Sequence, residues 1–374
     1  MDSFPPRALG ESAQSRNHNE VEVMNRIQTG PGALFALVLC IGVAVVTSPV
    51  AAQDDEEEAL EVGRWYPGLE AGLILSQSSF SDNWAGGDRG QFAWTFLLDG
   101  VLRSQLTDVW RWDNSLILAY GKTAQENEDG NFGKPRKSTD RIDLESILRA
   151  TFGFHLDPYA SLRVESQFED ASDPLGRESL LFNPVFVKEA VGVAHDYMPG
   201  EDQRLLVRFG GAIRQSIRQQ YVFDDPTDDT AQTETAFDGG LEFVVDYEDQ
   251  YFDDSLAWSS KLTLYQPLFY SAKDELEDLD FTQPGIVAAG VDPDVADYTT
   301  TLDVDWENVF TGQVNEYLSV NLYVRLVYDK YDTSVEPLID DDGTLTNAEA
   351  VAQAIRKAGQ FKQTLALGLT YRFF

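Results

Sequence analysis

The side chains that could do chemistry in this 374-residue sequence form a short inventory. Carboxylates recur at alternate positions, Asp143 with Glu145 and Asp303 with Asp305 and Glu307. Such sets can divide general acid and base roles, or they can line a hydrated surface. Basic residues follow the same spacing: Arg103, Arg111, Arg149, Arg163, Arg208, Arg214, Lys261, Arg325, Lys362 and Arg372. Histidine is confined to His18, His155 and His195, and the one cysteine is Cys40. The run Asp340-Asp341-Asp342-Gly343-Thr344-Leu345, followed by Glu349, has part of a calcium-loop spacing. Its first ligand position would be Leu338, which has no oxygen to offer, so an acidic loop leading into a short helix over Asn347–Ala358 is the plainer reading. Phosphate-cradling glycine motifs and zinc-ligand spacings do not occur, and no cofactor or metal is expected.

Which of these groups can meet depends on the elements that carry them, and composition sets the first bounds. There are 63 acidic residues against 28 basic ones, a formal charge of −35. That balance excludes a nucleic-acid partner, which requires basic patches. A surface this rich in carboxylates holds water and cations, which suits a protein working in high salt.

The N-terminus reads as an export signal. Arg26 precedes an apolar run from Ala33 to Val46, and Val50-Ala51-Ala52 offers small residues for cleavage after position 52. The run is short for a membrane-spanning helix. Residues 1–52 are therefore a signal peptide, with Met24 as an alternative start, and Cys40 leaves with it. Residues 53–64 form an acidic leader, and 65–374 the mature body.

Across that body the hydropathy alternates with a period of two. In 317–328, Leu318, Val320, Leu322, Val324 and Leu326 alternate with Ser319, Asn321, Tyr323 and Arg325. Long alternation means strands with one apolar and one polar face. About twelve emerge, near 66–78, 90–104, 110–124, 141–154, 159–169, 186–197, 203–217, 234–247, 255–269, 298–311, 317–328 and 360–374. Short links alternate strictly with long ones (79–89, 125–140, 170–185, 218–233, 270–297 and 329–359). This pattern predicts an all-β fold: a transmembrane antiparallel up-and-down β-barrel with short periplasmic turns, long external loops and both termini periplasmic. A soluble sandwich would bury its apolar faces, but strands this long do not suit it.

Aromatic residues gather at strand ends (Trp65, Tyr66, Trp110, Trp112, Tyr197, Tyr247, Tyr317), where a headgroup layer would favour them. The C-terminal residues Gly368, Tyr371, Phe373 and Phe374 resemble the signal by which outer-membrane barrels are recognised by their assembly machinery. Near the other end, Gln77, Phe80, Asn83, Trp84, Gly86 and Gly87 resemble the N-terminal signature of a barrel family common in Bacteroidota-type bacteria, domain of unknown function 3078. The resemblance implies an outer-membrane barrel and brings no activity or catalytic residues. On its own terms the segment is a first external loop that could fold an aromatic anchor onto the barrel rim.

With strands assigned, Asp143, Glu145, Arg149, Arg163, Arg208, Arg214, Asp303, Asp305 and Arg325 are expected to line the lumen. His155 falls in a short turn and His195 near the same end, away from the external side where barrel hydrolases place a catalytic histidine. No catalytic set is expected. Three functional readings remain: first a narrow channel for small polar solutes, second a non-transporting barrel whose acidic loops bind a surface partner or support the envelope, and last an outer-membrane hydrolase. The partners implied are outer-membrane lipid, the assembly machinery and, for a channel, small polar solutes.

Overall fold

The computed structural model describes residues 60–79, 90–127, 130–152, 156–171, 176–197, 203–221, 230–252, 255–315, 317–340 and 342–372. The segment read from the sequence as a signal peptide, and most of that read as an acidic leader, lie outside that set. Twelve long strands close into one antiparallel barrel: β1 (Trp65–Ser78), β2 (Gln91–Gln105), β3 (Trp110–Gln125), β4 (Arg136–Ala150), β5 (Asp157–Ser166), β8 (Val185–Tyr197), β9 (Arg204–Tyr221), β10 (Ala231–Tyr251), β11 (Leu256–Tyr270), β12 (Asp303–Asn315), β13 (Leu318–Tyr328) and β14 (Gln360–Arg372). A two-strand hairpin, β6 (Glu169–Asp170) with β7 (Leu180–Leu181), sits in the connection between β5 and β8. Each barrel strand pairs with its neighbours along the chain, and β1 closes on β14.

Burial shows which face points where. On β4, Leu144 is 41% exposed while Asp143 is 5% exposed. On β14, Leu365, Leu367 and Leu369 are all more than half exposed while Ala366 is buried. Apolar side chains outside and charges inside is the reverse of a soluble core, and it is the arrangement of a barrel seated in lipid. Aromatic pairs crowd the short-turn end: Trp65 meets Trp112 at 5.6 Å, and Trp258 lies 4.9 Å from Tyr247 and 5.7 Å from Phe310.

Several boundaries differ from the expected ones. The strand expected from 298 begins at Asp303, because the chain first winds through a helical turn in which Thr299 and Thr301 hydroxyls donate to the carbonyls of Ala296 and Tyr298. The strand expected over 141–154 runs instead over Arg136–Ala150, since pairing with β3 continues past the apolar section into polar residues. The helix expected over 347–358 is confined to Ala348–Ala354.

The loops after β11 and β13 are not open excursions. They hold four short helices, α1 (Lys273–Glu277), α2 (Pro284–Ala289), α3 (Val295–Tyr298) and α4 (Ala348–Ala354). Leu276, Ile286, Val295, Tyr331, Leu345 and Val351 bury one another into a small core that also takes Ala236 and Tyr270 from the barrel wall. The two loops are stitched together by Gln283, whose amide donates to the Gly343 carbonyl and accepts from the Leu345 N–H. Together they form a folded cap at the long-loop end.

Two further features of the wall stand out. Gly192 and Gly210 lie opposite each other on β8 and β9, so close that a Cβ on Gly192 would sit 2.1 Å from the Phe209 carbonyl oxygen. Only glycine permits that approach. The seam between β1 and β14 is short: among the described residues only Glu70–Leu73 pair with Leu369–Arg372, whereas β9 and β10 pair along eighteen positions.

Glu189 departs from the outward pattern. It is exposed on β8, in register with Leu162 and Ile213. It borders an outer crevice of about 740 Å³ that also involves Gly211, Gly239 and Phe269. A carboxylate facing lipid is unfavourable, though less so than a lysine or arginine. Replacing Glu189 with leucine is therefore expected to raise the unfolding free energy in bilayers by about 1–2 kcal/mol, measured by denaturant titration of vesicle-refolded protein. A loss of stability would show that the carboxylate is held by a partner.

Candidate functional site

The candidate site is the barrel interior, and it follows from strand parity. Every second residue points inward, and on this chain those positions carry both signs of charge. Near the long-loop end, Arg214 on β9 donates to both oxygens of Asp238 on β10 (2.8 and 3.1 Å) and, from another nitrogen, to Asp303 on β12 (2.9 Å). The Tyr265 hydroxyl donates to Asp238 at 2.7 Å, and the Thr333 hydroxyl donates to the same carboxylate at 2.9 Å. Thr333 belongs to the cap, so the cap is tied to the lumen wall. Arg325 on β13 clamps Asp305 on β12 with two hydrogen bonds of 2.8 and 2.6 Å, and Lys188 pairs with Glu242.

The middle of the barrel is crossed from side to side. Glu145 on β4 accepts from Arg208 on β9 (3.1 Å) and from Lys261 on β11 (3.0 Å). Arg208 also reaches Asp246 at 3.2 Å, and only 2% of it is exposed. Asp143 takes two bonds from Arg163 (3.0 and 2.8 Å) and one from Arg141 (2.7 Å). Arg141 also lies 3.9 Å from Glu307 on β12, which stands directly across the twelve-strand ring from β4. Lower down, Asp196 on β8 accepts from Arg149 (2.9 Å) and Arg204.

Three cavities lie along this axis. The largest, about 760 Å³, occupies the long-loop end, bounded by Arg163, Arg214, Asp305 and the cap residues Asp332 to Ser334. A second of about 240 Å³ shares Arg141, Arg163 and Asp305 with it. A third of about 170 Å³ shares Arg103, Glu145, Asp246 and Lys261 with the second. Among the described residues, shared side chains stand between consecutive cavities.

All nine charged residues assigned to the lumen from the sequence point into this interior and take part in its ion pairs. Parity alone did not single out their partners Arg141, Lys188, Asp238, Glu242 and Asp246, although these sit at inward positions of the same strands. Of the signature residues, Gln77 lies near the end of β1, opposite Phe92; Phe80, Asn83, Trp84, Gly86 and Gly87 lie outside the described residues. Gly368 and Tyr371 lie on β14, opposite Ser319 and Ala71, while Phe373 and Phe374 fall outside the described residues. His195 lies on the outer face beside Tyr197, with ring centres 6.4 Å apart, and His155 is outside the described residues. In the acidic loop, Asp340 accepts from the backbone N–H groups of Asp342 and Thr344, which closes a turn. Among the described residues no group of three His, Cys, Asp or Glu side chains is arranged to hold a metal ion.

Residues 75–171 match the model of a family described as "Protein of unknown function (DUF3078)". The matched span contains the signature segment and strands β2 to β5. No curated protein matches the chain. Among solved structures, an outer membrane channel from Pseudomonas putida F1 aligns at 10% identity and TM-score 0.35, covering 86% of this chain and 100% of that one. The β domain of the Bordetella autotransporter BrkA aligns at 10% identity and TM-score 0.31, covering 82% and 98%. A FadL homologue of Pseudomonas aeruginosa aligns at 10% identity and TM-score 0.23, covering 82% and 88%. No role follows from likeness at that level.

Asp329, just past the end of β13, couples the cap to the lumen. Burial, with Asp303 and Asp332 nearby, pushes its carboxyl from 3.8 up to about 7, against the lowering influence of Arg214 and Arg356. Between those two values the folded protein holds a proton that the unfolded chain releases, so stability falls as pH rises from about 4 to 7 and then levels off. Asp329→Asn is expected to remove that part of the pH dependence, read as melting temperature in detergent micelles from pH 4 to 8. An unchanged profile would place the proton elsewhere.

Proposed function

We propose that this chain is an outer-membrane channel for small polar solutes, closed at mid-height by ion pairs, with its termini in the periplasm and its cap at the cell surface. One observation carries the reading: the three interior cavities are stacked and separated by side chains of Arg, Lys, Asp and Glu. Side chains exchange partners far more readily than backbone moves, so rearranging a few pairs would join the cavities into a continuous polar path. The apolar belt, the aromatic ends and the export signal read in the sequence support the outer-membrane location. The charged lining suits hydrated solutes and gives an apolar one little to bind.

The alternative is a barrel that does not transport. The cross-lumen contacts Glu145–Lys261 and Arg141–Glu307 favour it, because they brace opposite walls as struts in a filled cylinder would. Strand number does not separate the two, since twelve lies between filled and open barrels.

Single-channel recording in planar bilayers tests the proposal. Glu145→Gln, which weakens the hold on Arg208 and Lys261, is expected to raise conductance or open time severalfold over the native protein. Silence from both proteins, with folding confirmed by heat-modifiable migration on gels, would leave the structural reading standing.

A further inference from the structure

The cavity at the long-loop end is unusual for this chain. The protein as a whole carries 63 acidic residues to 28 basic ones, yet acidic and basic side chains line this cavity in equal number. They are not equally matched. Asp238, Glu242, Asp303, Asp305, Asp332 and the other carboxylates at its walls each have a cationic partner within 4 Å. Two cations at the same walls have no carboxylate that close among the described residues: Lys362 and Arg218.

Lys362 lies on β14 directly opposite Arg325, so two positive charges face each other on adjacent strands. Arg325 is already held by both oxygens of Asp305, and the next strand presents Glu307, engaged by Arg141 from across the lumen. The Lys362 ammonium rests 5.6 Å from the centre of the Tyr323 ring, and the side chain is exposed within the barrel. Like charges placed opposite each other on neighbouring strands destabilise a sheet, unless an anion lies between them. Arg218 shows the same want from the β9 side. Its Nε is buried without a hydrogen-bond partner, and Glu234, opposite it in register, takes its hydrogen bond from Gln220 instead. A buried guanidinium nitrogen without an acceptor is costly.

We propose that this cavity is a binding site for small anions bearing a carboxylate or phosphate group, received by Lys362 and Arg218. The proposal names the solute class for the channel reading and rests on it for transport, though not for binding. At about 760 Å³ the cavity is within the usual range for a site that takes a small organic molecule. Tyr323 and Tyr265, facing the same space, would give the carbon portion of such a solute a surface to lie on.

The test is calorimetric titration of inorganic phosphate into the folded protein in lipid-free detergent micelles at constant ionic strength. Phosphate should bind, and Lys362→Gln and Arg218→Gln should each weaken it about tenfold, the scale of one charge-assisted hydrogen bond. Lys122→Gln, outside the lumen, should leave affinity unchanged. Without phosphate, Lys362→Gln should raise the melting temperature, because it relieves the repulsion with Arg325. Failure of the folded native protein to bind phosphate, or equal affinity in the native protein and both lumen variants, would overturn the site. Phosphate binding by a barrel that passes no current in bilayers would keep the site and remove the channel; current without binding would do the reverse.

Discussion

A cylinder that turns its apolar face outward must neutralise its charged face within itself, and the rest of this structure depends on that constraint. Lipid offers nothing to a guanidinium or a carboxylate, so the inward charges have only each other and whatever water enters. Arg208 shows how far this goes. It is almost wholly enclosed, and it is held by Glu145 from one wall and Asp246 from another. Removing either carboxylate would leave a buried positive charge with half its support. A buried ion pair is weak evidence for stability when weighed against an apolar replacement. Here, however, the alternative to pairing is an unpaired charge, and the network braces strands that the ring order already sets across the lumen from each other.

Much of this was legible in the sequence, because period-two alternation is a direct readout of a wall with two different faces. Leu318 to Tyr328 could be assigned to a strand, and its polar residues to the inside, without any tertiary information. Long polar connections alternating with short ones then specified closure in an up-and-down order. The strand expected from 298 starts only at Asp303, because Tyr298 to Leu302 still belong to the helical turn by which the chain leaves the cap. Parity also could not say which charge meets which. Asp143 and Arg163 sit on adjacent strands, but Arg141 and Glu307 meet only because a ring of twelve places their strands opposite each other. That contact depends on strand number and stagger, which no local pattern encodes.

The cap was the least readable part. Its core comes from two loops separated in sequence by β12 and β13, and each contributes only a few apolar residues, such as Ile286 from one and Val351 from the other. Only the helix near 347–358 was announced by the sequence, while the three in the first loop are too short to show a period. Their common core forms because the barrel holds the two loop bases side by side, and Thr333 then fixes the assembly to Asp238 inside the wall. Helices of four to seven residues are stable here for that reason, since isolated segments of such length are not.

The short join between β1 and β14 has a mechanical meaning. Among the described residues every other neighbouring pair in the ring is held by a longer ladder, so resistance to widening is unevenly distributed around the circumference. The cylinder behaves as a hoop fastened by a clasp. Tension from a thickening bilayer would concentrate at Glu70–Leu73 and their partners, and the remaining strands would stay together as one curved sheet. The first and last strands thus set how the cylinder yields, while the ion pairs between its walls set how it keeps its bore.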